Sequence, residues 1–399
     1  MSTVKLEKSI KAPPAEIYHY FTSSTALRDW MCDVATATAQ PGGHLYMCWS
    51  GEYYTSGEYL ELKADKSISF TWFGKGEPHK TRVDVTLKGV RGGTLVKLAH
   101  RGMGKGQKWE SITKVYQKEW QSALENLASV TEAGPDLRIT RRPMLGIYLG
   151  DFDASIAKKL GCPVDFGSRL DGVVEGMGAA KVGLQKDDVI IAVDGHELIA
   201  GTTLGTILGT KHAGDVVEVT FYRGADKLTA NMTLSGRPIP TIPASYQELS
   251  KEVEKQYRQS MVEIETAING VSEAQCAHQP NPKEWSVNDI LAHLIQSEVG
   301  WQNRASEIIS GTEGAYDEYS GNLQSRIDAT LSIYPTKASL ITQLKAVQAE
   351  TVIFLASVPA DFLVHKGRFW KLVYEVAQNP YHMQSHLEQI QKALQAVKA

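Results

Sequence analysis

The chain has 399 residues, of which 42% are hydrophobic and 22% charged, and its formal net charge is -3 at pH 7. This length predicts roughly two to three domains. The near-neutral charge argues against a nucleic-acid partner, which would need a clustered basic excess. No apolar run reaches the length of about 18 residues that a membrane-spanning helix needs, so we expect no membrane span.

Two further observations concern the compartment. The N-terminal segment MSTVKLEKSIKAPP lacks the apolar core of a secretory signal, so we expect none. The four cysteines, Cys32, Cys48, Cys162 and Cys276, are far apart and form no C-x-x-C pair. They predict neither a disulfide framework nor a thiolate zinc site, and they favour a reducing cytoplasm.

Residues 1–134, the first predicted domain, follow the order strand, short helix, antiparallel meander and long helix. Residues 5–10 alternate as a half-buried strand does, and residues 15–21 form a short helix. Large residues from Trp109 to Leu127 recur at spacings of three and four, which predicts an amphipathic closing helix. Between the two helices lie five segments of strand formers: 44–49, 56–62, 67–73, 81–87 and 93–99.

The segments IKAPPAEIYHYFT, LRDWM and YQKEWQSALENLASV resemble the SRPBCC or START-like fold, most closely the family named after the activator of the heat-shock-protein-90 ATPase. The resemblance implies a helix-grip antiparallel sheet with a cavity for a small hydrophobic ligand. The same aromatic side chains could instead simply fill the core. His100 could face the cavity mouth or lie exposed in a loop before the helix. The aromatic candidates for the cavity lining are Trp30, Trp49, Trp72, Phe73, Trp109 and Tyr116.

Residues 137–240 form the second predicted domain, whose centre is the stretch GVVEGMGAAKVGLQKDDVIIAVDGHEL from Gly172 to Leu198. Val173 opens a predicted strand, a small-residue helix follows, and residues 189–193 form a buried β-branched strand. Asp194-Gly195 is a tight-turn dipeptide. Further along, residues 216–222 and 227–234 predict a hairpin.

This centre resembles the PDZ domain of HtrA proteases, and residues 144–150 resemble its carboxylate-binding loop. The resemblance implies a β-barrel-like PDZ domain that binds a protein C-terminus through backbone N–H groups and by strand addition. A collapsed groove serving as a spacer is the alternative, and a predicted helix at residues 154–160 could occlude the groove. The chain lacks a serine-protease nucleophile loop, so we expect no protease. The predicted peptide-binding residues are Leu145, Gly146, Ile147, Tyr148, Leu149, Leu204, Ile207 and Leu208.

Residues 241–399 form the third predicted domain, an all-α four-helix bundle. Pro238, Pro240 and Pro243 predict a stiff linker before it, and Pro282 lies in a predicted loop. The patterns Ser245-x-x-Glu248 and Ser286-x-x-Asp289 resemble capping boxes at two helix starts. The four helices are predicted from residue 245 to about 268, from 286 past 295, at 337–357 and at 381–397.

Three histidines are candidate metal ligands in this domain. His382 and His386 are four residues apart and therefore share one helix face. His293 lies on the apolar stripe of the second helix, and inward-facing residues on separate helices can build a metal site. Three imidazoles leave a fourth position for water or substrate. Pro380 could start the last helix or kink it and displace His382, and all three histidines could be ordinary core residues.

The segments EWSVNDILAHLIQSE and HMQSHLEQI resemble the DinB and YfiT-like four-helix family. The resemblance implies a divalent metal ion, zinc, nickel or iron, held by His293, His382 and His386. Some relatives transfer thiols to small electrophiles or hydrolyse small substrates. Together the three resemblances imply a multidomain α+β protein with a helix-grip sheet, a PDZ domain and a helical bundle.

Two functions are consistent with these patterns. The first is a stress-related binding or adaptor protein that combines a hydrophobic ligand cavity, a peptide groove and a three-histidine metal site. The second is a metal-dependent enzyme, either a thiol S-transferase or a small-molecule hydrolase, because a bound metal ion activates water or thiol. No nucleophile and base pair is evident. The nearest carboxylates to His293 are Asp289 and Glu298, which we expect at the surface or behind the ligands.

Overall fold

The computed structural model describes residues 2–49, 53–199, 202–209, 211–239, 241–281, 284–312, 323–377 and 379–398. Pro240 and Pro282, assigned above to a linker and a loop, lie outside these residues. The chain divides into two compact units. The first contains residues 1–48, 54–134 and 240–399, and the second contains residues 49–53 and 135–239. The first and third predicted domains thus belong to one unit. The predicted domain boundaries at residues 134, 137, 240 and 241 stay a prediction.

The N-terminal part of the first unit is a seven-stranded antiparallel sheet with strand order β1-β7-β6-β5-β4-β3-β2. The alternating burial along these strands shows why they form a sheet with one covered face. The short strand β2 is an addition to the predicted set. The strands are β1 (Ser2–Ile10), β2 (Val34–Ala37), β3 (His44–Cys48), β4 (Tyr54–Lys63), β5 (Ser67–Gly74), β6 (Thr81–Val90) and β7 (Gly93–Met103).

Three helices accompany this sheet: α1 (Pro14–Thr22), α2 (Ser24–Trp30) and α3 (Gln107–Glu132). The buried residues of α3 include Trp109, Tyr116, Trp120, Leu124 and Leu127, and with the half-buried Ile112 they recur at the predicted spacings of three and four. The long closing helix and the antiparallel meander are therefore confirmed.

The position of His100 differs from both sequence-based expectations. It lies inside β7, opposite Val4 of β1 and Val83 of β6, and it is fully buried. The alternation of buried residues in β7 includes His100, and the strand itself continues to Met103, past its predicted end. The expectation of an exposed loop histidine was wrong because His100 falls on the inward-facing phase of that strand.

The C-terminal part of the first unit is helical. The four predicted helices are confirmed as α8, α10, α12 and α14, which pack as a bundle in which α8 and α10 each contact both α12 and α14. The shorter α9, α11 and α13 and a 3₁₀ turn (Ala360–Val364) are additional. The helices are α8 (Tyr246–Ala267), α9 (Glu273–Ala277), α10 (Val287–Ser310), α11 (Gln324–Ile333), α12 (Lys337–Ala356), α13 (Lys366–Val376) and α14 (Asn379–Lys398).

Helix caps agree in part with the predicted capping boxes. At α10, the Ser286 side chain accepts from the Asp289 amide and Asp289 accepts from the Ser286 amide, which completes the box. At α8, Ser245 accepts from the Glu248 amide, but the Glu248 carboxylate accepts from the amide of Ala244 instead. The second box is therefore only half formed. None of the described helices combines the length and the apolar composition that a membrane span requires.

Helix α13 joins the two parts of the first unit. Arg368 Nε lies 3.5 Å and Lys371 Nζ 3.9 Å from the carboxylate of Asp29, whose side chain is almost fully buried at the end of α2. Lys366 Nζ donates to the carbonyl oxygen of Glu132 at 2.7 Å. A buried carboxylate is costly without a partner, so Asp29 depends on the two cations that α13 brings to it.

The second unit contains an antiparallel sheet with order β14-β13-β11-β10-β9, and β12 also pairs with β11. In the described part of the chain this sheet is an open path that does not close on itself, and β8 pairs with β15 separately. Val173 ends β10 instead of opening a strand. The strands are β8 (Pro143–Met144), β9 (Ile147–Gly150), β10 (Ser168–Val173), β11 (Val189–Val193), β12 (His196–Glu197), β13 (Val216–Arg223), β14 (Asp226–Thr233) and β15 (Ser235–Gly236).

Four short helices complete this unit: α4 (Leu137–Thr140), α5 (Ala154–Leu160), α6 (Gly178–Lys181) and α7 (Leu204–Leu208). Strand β11 is buried on both faces, which explains its continuous apolar run. Val189 and Ile191 pack with Ala157 of α5, whereas Ile190 packs in the cluster that contains Ile207 of α7. Because successive residues of a strand point to opposite faces, α5 covers the face away from α7.

Candidate functional site

Three imidazoles converge inside the helical bundle. His293 lies on α10, and His382 and His386 lie on α14. Nε2 of His382 is 3.2 Å from Nε2 of His293 and 3.0 Å from Nε2 of His386. All three ligand atoms lie within 4.8 Å of one another. One divalent ion is therefore within reach of all three nitrogen lone pairs, which is the donor set of an open metal site.

The backbone of α14 accounts for this convergence. The helix begins at Asn379, so Pro380 lies in its first turn. A proline costs little there, because the first amides of a helix have no partner within the helix. His382 and His386 then follow on one continuous helix, and the first of the two alternatives for Pro380 is the one observed.

Burial keeps these imidazoles uncharged. The pKa of His293 is lowered to about 4, first by burial and then by His386 and His382. Burial, and then His386, lowers the pKa of His382 to about 4. The pKa of His386 is lowered by burial, against an opposing hydrogen bond to Gln389. Neutral imidazoles are the protonation state that binds metal ions.

Three neighbours flank the triad. His386 Nδ1 donates to Oε1 of Gln389 at 3.0 Å, and this bond leaves the lone pair on Nε2, the atom that faces the other histidines. Ser297 Oγ lies 3.2 Å from Nε2 of His293. The ring of Trp285 lies 4.9 Å from the ring of His293 between centroids. The donor set and its surroundings thus fit a divalent metal ion.

The two carboxylates nearest to His293 in sequence are both engaged elsewhere. Asp289 caps α10. Glu298 is buried, contrary to a surface position, and accepts hydrogen bonds from Tyr257 Oη at 2.6 Å and Thr351 Oγ1 at 2.5 Å. Burial raises the pKa of Glu298. Sequence reasoning missed this polar cluster because its three members come from three helices.

The predicted peptide-binding residues fall into two groups. Leu145 and Ile207 are buried and share one apolar cluster with the half-buried Ile147, Leu204 and Leu208. In contrast, Tyr148 and Leu149 are 61% and 62% exposed on β9, the last strand of the sheet order. The structure therefore brings the loop and α7 together beside an edge strand.

Gly146 gives this loop its shape. Its φ of +77° is in the left-handed region, and a Cβ added there would lie 2.3 Å from Cβ of Met177. Its carbonyl oxygen accepts from the amide of Val174 at 2.8 Å. Only glycine fits both the conformation and the close approach.

The six predicted cavity residues differ in their burial. Trp30, Trp72, Trp109 and Tyr116 are buried. Phe73 is 40% exposed, and the half-buried Trp49 packs on Tyr53 with ring centroids 5.5 Å apart. Of the six, Trp30 lines a cavity of about 10 Å³ in the interior of the first unit. That volume is roughly the minimum for one water molecule.

His100 is at the centre of the aromatic packing that sequence reasoning missed. Trp120 Nε1 donates to His100 Nδ1 at 3.1 Å, so His100 carries its proton on Nε2 and donates to Thr81 Oγ1 at 2.7 Å. The ring of Tyr116 stacks on His100 at 4.5 Å, and Trp72 packs edge-on at 5.6 Å. The signal for this cluster was the alternation of Val96, Leu98 and His100 in the sequence.

Family models match each of the three predicted domains. Residues 11–132 match "Activator of Hsp90 ATPase homolog 1-like protein". Residues 143–234 match "PDZ domain", and residues 256–390 match "DinB superfamily". The three resemblances drawn from the sequence are confirmed.

Individual relatives are similar over parts of the chain only. The serine protease Do-like HtrA of Lactococcus lactis subsp. cremoris is 35% identical over 99 residues, which are 24% of this chain and 24% of that protein. A probable periplasmic serine endoprotease DegP-like of Pseudomonas putida is 27% identical over 97 residues, 24% of this chain and 20% of that protein. The chain thus spans about a quarter or less of the length of these two curated relatives.

Solved structures are similar to about a third of the chain. The solution structure of the Aha1 dimer from Colwellia psychrerythraea is 18% identical, covers 33% of this chain and 96% of that chain, and has a TM-score of 0.30.

Proposed function

We propose that the protein is a multidomain adaptor that binds a protein C-terminus in its second unit and a divalent metal ion in its helical bundle. The observation that carries the peptide part is the position of β9. This strand is the last in the sheet order, it follows the Gly146 loop, and the apolar residues of α7 belong to the same cluster as Ile147. An extended peptide can pair with such an edge and insert its apolar side chain beside the helix.

The experiment is a binding assay with paired peptides. We expect peptides with an apolar C-terminal residue to bind, and the same peptides with an amidated C-terminus to bind at least about tenfold more weakly, because the backbone N–H nest loses its anion. Leu208→Asp, at a half-buried position of α7, should reduce binding of the free-acid peptide. Equal binding of acid and amide forms would contradict a carboxylate-binding groove and favour the spacer alternative.

The metal part of the proposal is supported by the convergence of the three Nε2 atoms. His293, His382 and His386 would hold zinc, nickel or iron, all of which accept imidazole ligands. Elemental analysis of protein purified without a metal-affinity tag should give about one ion per chain. His382→Ala should remove it, whereas Gln384→Ala, at an exposed position of the same helix, should not. A parent protein without stoichiometric metal would refute the site.

A metal-dependent thiol S-transferase or small-molecule hydrolase is the second candidate function. It is favoured by the same three-imidazole set, which leaves a ligand position open. A bound ion would act as a Lewis acid on water, thiol or substrate. His293, His382 and His386 would hold the ion, and Trp285, next to His293, would form an aromatic wall of the site. Turnover of a small electrophile with low-molecular-weight thiols, absent in His382→Ala, would establish this function over the adaptor.

We also propose that the first domain takes a small hydrophobic ligand and that the protein acts in the cytoplasm. The cavity beside Trp30 holds only about 10 Å³, so a ligand would enter only if neighbouring side chains moved. A thermal-shift screen of apolar compounds tests this, and no stabilisation by any of them would favour the core-filling alternative.

All four cysteines are free thiols, which supports a reducing compartment, and cell fractionation tests the cytoplasmic location.

A further inference from the structure

We infer that Ser297 positions the ligand that fills the open place at the metal centre, a water molecule or a small anion, through its hydroxyl group. The inference rests on the proposed metal site. Ser297 follows His293 by one turn on α10 and therefore shares its helix face. Its Oγ lies 3.2 Å from Nε2 of His293, the nitrogen that faces the other two imidazoles.

The chemistry of the hydroxyl argues for a role beyond packing. A serine hydroxyl has one hydrogen to donate and two lone pairs to accept with. Nε2 of His293 cannot bind a metal ion and accept that hydrogen with the same lone pair. Once an ion takes the lone pair, the hydroxyl hydrogen needs another acceptor, and a ligand bound beside Nε2 is a neighbour it can reach.

The charge of the site indicates what kind of ligand this is. An imidazole that ligates a metal ion does so in its neutral form, Ser297 carries no charge, and the carboxylates of Asp289 and Glu298 are held by other hydrogen bonds. A divalent ion therefore keeps both its positive charges at this centre. An anionic ligand, or a water that becomes hydroxide, compensates this charge and accepts the serine hydrogen bond.

The test uses Co²⁺ as a spectroscopic ion and azide as the anion, with Ser297→Ala and Ser297→Thr in the full chain. We expect both variants to bind Co²⁺ within about threefold of the parent, because the three imidazoles are kept. Ser297→Ala should bind azide about three- to tenfold more weakly and alter the visible Co²⁺ spectrum, because one charge-assisted hydrogen bond is lost. Ser297→Thr keeps a hydroxyl and should retain azide affinity.

Ser306→Ala is the matched control. Ser306 is exposed on the same helix, and its hydroxyl donates to the carbonyl oxygen of Gln302. This variant should match the parent in Co²⁺ spectrum and azide affinity, and circular dichroism should show all variants folded.

Three outcomes would overturn the inference, and they are distinguishable. A parent that binds no Co²⁺ refutes the metal site and the inference together. A parent that binds Co²⁺ while Ser297→Ala binds azide with unchanged affinity and spectrum refutes only the role of Ser297. Loss of Co²⁺ from a folded Ser297→Ala would make Ser297 a ligand of the ion and so refute the positioning role.

Discussion

Gly367 of α13 packs directly against Val130 of α3: a Cβ added to Gly367 would lie 2.4 Å from Cγ1 of Val130. Both residues are buried. This contact, with the ion pairs of Asp29 to Arg368 and Lys371, joins the N-terminal and helical parts of the first unit.

Gly367→Ala should therefore destabilise the first unit. Overpacking of a buried contact costs about 1–3 kcal/mol of unfolding free energy. Gly300→Ala is the matched control, because a Cβ there meets nothing within 4 Å on α10. We expect that control to gain about 0.5–1 kcal/mol from helix propensity. Denaturant unfolding of the full chain measures both, and adding Val130→Ala to Gly367→Ala should recover part of the loss.

Acid should weaken the fold through His100. Its pKa is lowered to about 3 by burial, against an ordinary value of 6.5. Between these values the unfolded chain binds a proton that the folded chain does not, so the free energy of unfolding falls as pH falls. The contribution of His100 should be about 2 kcal/mol between pH 7 and pH 5.

His100→Asn should remove that part of the slope in unfolding measured against pH. The buried His293 and the half-buried His382 act in the same direction and stay in both proteins, so the difference isolates His100. An identical slope in His100→Asn and the parent would contradict a neutral buried His100.

Gly146→Ala should distort the loop before β9. Gly146 and Gly176 have nearly the same φ, +77° and +76°, but only Gly146 has a close neighbour, Met177. Gly176→Ala should cost about 1–2 kcal/mol for the left-handed backbone alone. Gly146→Ala should cost about 1–3 kcal/mol more, because it also clashes, and it should weaken C-terminal peptide binding. Similar stability and peptide affinity in both variants would speak against the role of this loop.

Gln389→Leu should weaken metal binding while leaving all three ligands in place. The Gln389 side chain accepts from Nδ1 of His386 and so directs the Nε2 lone pair to the centre. Loss of such a partner typically reduces metal affinity by about tenfold or more. A competition titration with a chelator measures this, with Gln384→Leu as the exposed control on α14. Equal affinities in the two variants would show that the hydrogen bond does not orient His386.

Glu298→Gln should raise stability at neutral pH relative to the parent. Burial raises the pKa of Glu298, so the parent loses unfolding free energy as pH rises from the ordinary glutamate range through the folded pKa. Glutamine keeps an oxygen for Tyr257 and Thr351 but carries no charge to desolvate. The difference in stability between the two proteins, measured by thermal unfolding, should vanish near pH 4. A variant less stable than the parent at pH 7 would mean that the buried carboxylate itself is favourable.

Much of the local structure could be predicted from residue spacing. The four long helices, six of the seven strands of the first sheet and the pair of His382 and His386 all depend on backbone periodicity, which the order of residues along the chain sets directly. The short helix α13 was not predicted, although its buried residues Phe369, Leu372, Val373 and Val376 recur at helical spacing and pack with apolar residues of the helical part.

Contacts between distant segments could not be predicted in this way. His100 is buried because β7 continues to Met103, and Glu298 is buried because α8 and α12 bring Tyr257 and Thr351 to it. Sequence spacing says nothing about which hydroxyl meets which carboxylate across a bundle.

By itself, the sequence determined the four long helices, most strands of the first sheet and which imidazoles share one face of α14, because these follow from geometry within a few residues. Only the tertiary structure decided that His293 meets His382 across 89 residues of chain, with Ser297 beside them. That meeting depends on how α10 and α14 pack, and packing is set by the summed burial of side chains from the whole bundle.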